Sequence, residues 1–178
     1  VGEARPQQLW EKVSTLSDLD DVGQQWHLIG HLQRNKVART CESGPLVFQA
    51  VDSLRLLSAI NSAMEGRFWW APAFLEVNIS GDESKQGLKP EELPAVLGEL
   101  NKYPNVRIQG LMTMASRTGG EETARRNFAA LRDLRDRLAT PKMPLAELSM
   151  GMSGDLEAAI LEGSTLVRVG SALWEGIR

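Results

Sequence analysis

At 178 residues the chain is long enough for one domain, residues 1–178, to bury a substantial core, and it has no need of disulfides, since its single Cys41 cannot form an internal bridge. One thiol and two histidines, His27 and His31, argue against a dedicated metal cluster; a formal charge of -3 with a pI near 5.5 offers nucleic acid no global basic field. No apolar stretch reaches the roughly 20 residues of a membrane-spanning helix and no signal-peptide pattern is present, so the expectation is a cytoplasmic monomer that binds anionic small molecules by local devices.

The sequence opens on "VGEA", which reads as the last residues of a strand, and a helix follows over residues 6–16 with Pro6 in its first turn, where a missing N–H costs nothing. "QWHLIG" reads as a strand and "LQRNKVART" as a helix rich in Arg and Lys. "LVFQAVDS" is strand-like, and Ser53 stands at an N-cap position ahead of the helical spacing Leu54, Leu57, Ile60 and Met64. "AFLEVNIS" predicts the next strand, "GDESKQG" a polar loop, and residues 90–100 a helix. After the strand "VRIQGLMTM", a helix over 121–138 places Phe128, Leu131, Leu134 and Leu138 on one stripe. "AELSMGM", the helix "DLEAAILEG" and the strand "TLVRVGSAL" complete the series.

Six strands with near-continuous apolar character, each followed by helix-like sequence, and a seventh cut short at the start define a βα repeat with parallel strands buried on both faces. An open doubly wound sheet and a (β/α)8 TIM-type barrel both fit this alternation. Polar residues cluster at strand C-termini all along the series rather than at one switch point, which favours the barrel, incomplete at the N-terminus with its first βα unit absent.

In such folds the strand C-termini form the functional face. The stretch "LSMGMSGDLEAAI", residues 148–160, places Ser149, Gly151, Met152, Ser153 and Gly154 between a strand and a helix start. Small residues there let the backbone approach an anion, and Ser153 adds a hydroxyl; the alternative is that Ser153 only caps the helix and the glycines only shape a turn. The next strand carries Arg168 in an apolar setting, followed by Gly170 and Ser171. A charge so placed demands a partner. A ligand bearing a phosphate and a ring, held between neighbouring loops, is one candidate; an internal carboxylate such as Glu76 or Glu147 is the other.

The segments "WHLIGHLQRNK", "VNISGDESKQGL", "GLMTM" and "LSMGMSGDLEAAILEGSTLVRVGSALWE" resemble the YggS/PROSC family of pyridoxal phosphate homeostasis proteins, whose fold is the alanine racemase N-terminal barrel domain. The resemblance spans essentially the whole chain and implies pyridoxal 5′-phosphate (PLP) as the ligand. It further implies that Ser153, Gly170 and Ser171 contact the phosphate and that Arg168 faces the pyridine nitrogen, with Met112 and Met152 as candidates for lining the ring pocket. An arginine at that nitrogen does not give up a proton to it, which weakens the ring as an electron sink and disfavours carbanion chemistry. The implied role is intracellular cofactor homeostasis without turnover, with PLP-dependent enzymes as transient partners.

Two departures bear on attachment. The family's Schiff-base lysine belongs to the first barrel strand, upstream of Val1, and Ala4 stands where the family pattern has asparagine. The expectation for this chain is therefore noncovalent binding. Among its lysines, only Lys85 lies in a loop directly after a strand C-terminus, and its polar surroundings predict a solvated ammonium or one touching ligand oxygens. Two other functions stay open: a PLP-dependent racemase-like enzyme, for which Tyr103 is the sole tyrosine, and a barrel enzyme acting on another phosphorylated small molecule, with Asp52 or Asn78 as base. His27 reads as a hydrogen-bonded core histidine and His31 as a residue at a strand mouth with no evident partner. Trp69 and Trp70 read as either an exposed patch or a packed lid.

Overall fold

The computed structural model describes residues 1–16, 25–116 and 118–176. Its strands are β1 (Gly2–Glu3), β2 (Trp26–Leu28), β3 (Leu46–Val51), β4 (Ala71–Glu76), β5 (Val106–Met112), β6 (Glu147–Met152) and β7 (Leu166–Arg168), and each hydrogen-bonds to the next in sequence order. The α-helices between them are α1 (Pro6–Thr15), α2 (Val37–Glu42), α3 (Leu54–Ala63), α4 (Leu93–Gly98), α5 (Gly120–Leu138) and α6 (Leu156–Leu161). Parallel neighbours require such crossovers, because a short turn cannot return the chain to the same end of a sheet.

The chain groups into two compact units. The first comprises Val1–Leu75 with Leu93–Ile108. Here β1 to β4 pair in parallel, with Gly2 opposite His27, His27 opposite Val47 and Phe48 opposite Ala73. Every residue of β3 is buried, as expected of a strand covered on both faces. Ser53 caps α3 as its position predicts, its Oγ accepting from Leu56 N at 3.3 Å. Helix α2 starts later than the sequence suggests, because Arg34–Lys36 first makes a 3-10 turn. Cys41 is buried in α2, and burial pushes its thiol up to about 11, which makes it a core residue rather than a nucleophile.

The second unit comprises Glu76–Glu92 with the described residues from Gln109 onward. In it β5 pairs with β6 and β6 with β7, all parallel. Helix α5 buries Phe128, Leu131 and Leu134, three of the four residues on its predicted stripe. The β4 strand ends at Glu76, short of the predicted boundary. Beyond it the Asn78 amide donates to Asp82 O at 2.8 Å and Lys85 O at 3.3 Å, which turns the backbone into a loop. Strand β7 likewise stops at Arg168, and Ser171–Trp174 forms a 3-10 turn.

Glu162, just past α6, ties that helix to α5. Its Oε1 accepts from Arg125 at 2.9 and 2.7 Å, and its Oε2 accepts from Arg132 at 2.8 Å. The Arg125 hydrogen bonds hold its carboxyl below the ordinary range, with Arg132 adding to the effect against burial. A carboxyl depressed in the folded state contributes stability that is complete above the unfolded value and fades as pH falls through the folded one. Glu162→Gln is therefore expected to lower the urea midpoint at pH 7, with the gap to the parent chain closing as the buffer is taken below the carboxylate range. A gap independent of pH counts against the ion pairs as its source.

Candidate functional site

The site lies in the second unit, where the ends of β5, β6 and β7 meet. Strands β5 and β6 run in register, with Leu111 opposite Leu148 and Met112 opposite Ser149. Between β6 and β7 the register slips: Ser149 faces Leu166, whereas Met152, not Gly151, faces Arg168. The extra residue is a bulge, and Gly151 supplies it. Its φ of +96° favours glycine, and a Cβ there would sit 2.4 Å from that of Ala159 on α6. Lack of a side chain at Gly151 thus permits both the bulge and the close seating of α6 on β6.

The slip lets Arg168 reach back along the sheet. Its Nη1 donates to Ser149 Oγ at 2.7 Å and its Nη2 to Thr113 O at 3.0 Å, so one guanidinium joins the three strand ends. Both acceptors belong to fully buried residues. No carboxylate makes a salt bridge with Arg168 among the described residues; Asp155 and Glu76 favour its charge electrostatically, while burial is the larger effect and lowers its pKa. Of the two alternatives for this arginine, the internal carboxylate makes no direct salt bridge with it among the described residues, Glu76 acting on it only electrostatically. The structure shows a planar fork held by a hydroxyl and a carbonyl, with N–H groups left over for a further acceptor.

Ser153 joins the next two loops. Its Oγ accepts from Gly170 N at 3.2 Å and from Ala172 N at 3.3 Å. It does not cap α6, whose first flanking residue is Asp155. Asp155 Oδ1 instead accepts from Met152 N at 2.6 Å and tightens the turn between β6 and α6. These bonds from Gly170 and Ala172 account for the early end of β7: the backbone leaves the strand to bring the N–H groups onto one oxygen. Gly170 and Gly154 have open space where a Cβ would stand, with nothing within 4 Å. Ser171 is exposed between the two donors, Met152 is exposed, and Met112 is buried behind them in β5.

The remaining candidates have definite places. Lys85 is not the solvated ammonium expected of its loop: Nζ donates to Ala115 O at 2.7 Å and to Met114 O at 3.3 Å, strapping the loop after β4 to the chain beyond β5. In the first unit, His27 Nδ1 lies 2.8 Å from Gln49 Nε2, the core hydrogen bond expected of it, and burial lowers its pKa. Gln49 Oε1 is buried with no partner among the described residues. His31, expected to have no evident partner, does have one: its Nδ1 lies 3.1 Å from Asp52 Oδ2, while Ser53 Oγ donates to Asp52 Oδ1 at 2.9 Å. The available signal was that Asp52 directly follows β3 and His31 lies three residues past the end of β2, the preceding strand. Tyr103 sits in the turn leading into β5, at the end of that strand remote from Met112.

Comparison with known proteins defines the class first. The family model of the alanine racemase N-terminal domain matches residues 13–176, and this α/β fold is the TIM-type barrel expected from the βα pattern. PipY of Synechococcus elongatus is similar at 34% identity with a TM-score of 0.89, over 97% of this chain and 80% of that one. A second PipY structure, with PLP bound, matches with a TM-score of 0.83 at 32% identity, over 97% of this chain and 79% of that one. A protein of Pseudomonas aeruginosa called pyridoxal phosphate homeostasis protein is 38% identical over 93% of this chain and 70% of its own length. The chain belongs to the family of pyridoxal phosphate homeostasis proteins.

Proposed function

We propose that this chain binds PLP and takes part in intracellular homeostasis of that cofactor, holding and releasing it without turnover of its own. The observation that carries the reading is the pair of fixed devices after β6 and β7: backbone N–H groups of Gly170 and Ala172 converging at Ser153 Oγ, and the Arg168 fork held by Ser149 and Thr113. These residues suit the cofactor chemically. Converging N–H groups with a hydroxyl and open space beside Gly170 match a phosphate ester, and a guanidinium with unused N–H groups matches a ring nitrogen that accepts.

In this reading Ser153, Gly170, Ser171 and Ala172 bind the ester, Arg168 addresses the ring nitrogen, Ser149 orients Arg168, Gly151 shapes the bulge, and Met112 and Met152 line the ring's surroundings. The cofactor, when bound, supplies an aldehyde on an electron-poor aromatic ring. Arg168 keeps its own proton and holds the ring nitrogen as an acceptor, which limits electron withdrawal and suits storage better than carbanion chemistry. Contacts made by these residues are noncovalent, and Lys85 spends its ammonium on two carbonyls. Recipients of the released cofactor are PLP-dependent enzymes.

Ser153→Ala tests the assignment through a comparison of two ligands. Loss of a hydrogen bond to a charged ester is expected to weaken PLP by about tenfold or more and to leave unphosphorylated pyridoxal unchanged, as read by absorbance titration. Equal losses for both ligands would remove Ser153 from the phosphate site.

A further inference from the structure

The aromatic run Phe68, Trp69 and Trp70 has no place in the site described above. It lies in the first unit, directly before β4, and with Gln25, Pro45, Leu46 and Pro72 it lines an open cleft of about 530 Å³. These residues gather at the starts of β2, β3 and β4. Phe68 is fully exposed and Trp70 is 50% exposed, so large rings stand in water. Contiguous exposed aromatic surface of this kind marks interaction sites, and Trp and Arg are the residue types that dominate binding energy in interfaces.

Two cations stand against the aromatic rings of the cleft. The Arg107 guanidinium stacks 3.9 Å from the centre of the Trp70 ring, and Arg67 lies 5.8 Å from that of Trp69. Arg67 Nε donates to Ala63 O at 3.0 Å, yet neither arginine pairs with a carboxylate among the described residues. Neither indole N–H of Trp69 and Trp70 finds an acceptor there either, in contrast to Trp10, whose Nε1 donates to Thr40 Oγ1 at 3.2 Å. The cleft thus offers two indole donors and two cations without carboxylate partners, beside the amide of Gln25, and is walled by flat apolar faces.

A complement must bring acceptors and negative charge on an extended apolar frame. An α-helix keeps its carbonyls in its own hydrogen bonds and leaves the indole donors idle. A polyproline-type segment leaves its carbonyls free and packs its rings into aromatic grooves. A long polyanion meets only two arginines here, on a chain of net charge -3. From the cleft we infer that it docks an acidic, proline-containing extended segment of another protein, whose rings pack on Trp70 and Phe68, whose carbonyls accept from the indole N–H groups, and whose carboxylates meet Arg67 and Arg107.

The test uses the whole chain labelled with 15N-tryptophan and two synthetic peptides, acetyl-Glu-Pro-Pro-Leu-Pro-Glu-amide and its counterpart with Lys in place of both Glu. The acidic peptide is expected to shift the Trp69 and Trp70 indole signals while those of Trp10 and Trp26 stay put, with binding weakened by added salt. Arg107→Glu, an exchange at an exposed position, is expected to weaken the acidic peptide about tenfold and to strengthen the Lys peptide, and Trp70→Ala, which removes one of the two reporters, to abolish the shift of the remaining Trp69 signal. A urea midpoint matching the parent's keeps either variant interpretable. The inference is overturned if neither peptide moves the indole signals or both do so equally. It is also overturned if an oligothymidylate moves them at lower concentration, or if they move with protein concentration alone, as for a second copy of the chain.

Discussion

Arg168→Ala is expected to weaken both PLP and pyridoxal by at least about tenfold and to destabilise the folded chain by about 2–4 kcal/mol. The stability loss follows from what the guanidinium leaves behind. Ser149 Oγ and Thr113 O accept from it at 2.7 and 3.0 Å, and both residues are buried, so truncation strands two polar atoms away from water. Loss of affinity is expected to extend to the unphosphorylated ligand because the proposed function has Arg168 address the ring, which separates this variant from Ser153→Ala. Arg168→Lys keeps the charge, but a single ammonium cannot reproduce a planar fork that spans a hydroxyl and a carbonyl on two strands, so an intermediate loss is expected. Urea unfolding alongside titration with each ligand reads both effects. Retained affinity with only the stability loss would reduce Arg168 to a tie between β5, β6 and β7.

Gly110→Ala is expected to cost more, about 4 kcal/mol or more, and to deplete soluble protein. A Cβ at Gly110 would stand 1.8 Å from Glu147 O and 2.6 Å from Glu147 C, both backbone atoms of the neighbouring strand. No rotamer relieves such a clash; β5 must move away from β6. That movement reaches the site, because Met112 and Ser149 are opposed in the same register and Thr113 N donates to Ser149 O at 3.1 Å. Gly98→Ala is the control: nothing stands within 4 Å of the added carbon, and the exchange is expected to be neutral or to stabilise by about 0.5 kcal/mol through the unfolded chain. Thermal unfolding of the pair separates close strand approach from a general aversion to alanine. Similar melting temperatures would contradict the packing argument.

Much of this was legible in the linear sequence. Strands buried on both faces must be apolar throughout, and crossover helices must carry a one-sided stripe, so the alternation of β and α elements and the run Phe128, Leu131, Leu134 could be read residue by residue. Arg168 was conspicuous for the same reason, a charge in apolar surroundings. The early ends of β4 and β7 were not legible, because hydropathy continues past Glu76 and Arg168 while side-chain bonds from Asn78 and to Ser153 Oγ pull the backbone away.

Local chemistry and periodicity therefore determined which segments become strands and helices, and which unusual side chains need an explanation. Which partner each of those side chains meets was decided only by the tertiary structure. A single extra residue at Gly151 shifts β6 against β7 and sends Arg168 to Ser149 and Thr113 rather than to a carboxylate, and the neighbouring ends of β2 and β3 bring Asp52 to His31. Such partnerships depend on register and on the direction of a bulge, quantities fixed by packing between strands far apart in the chain and carried by no short stretch of sequence.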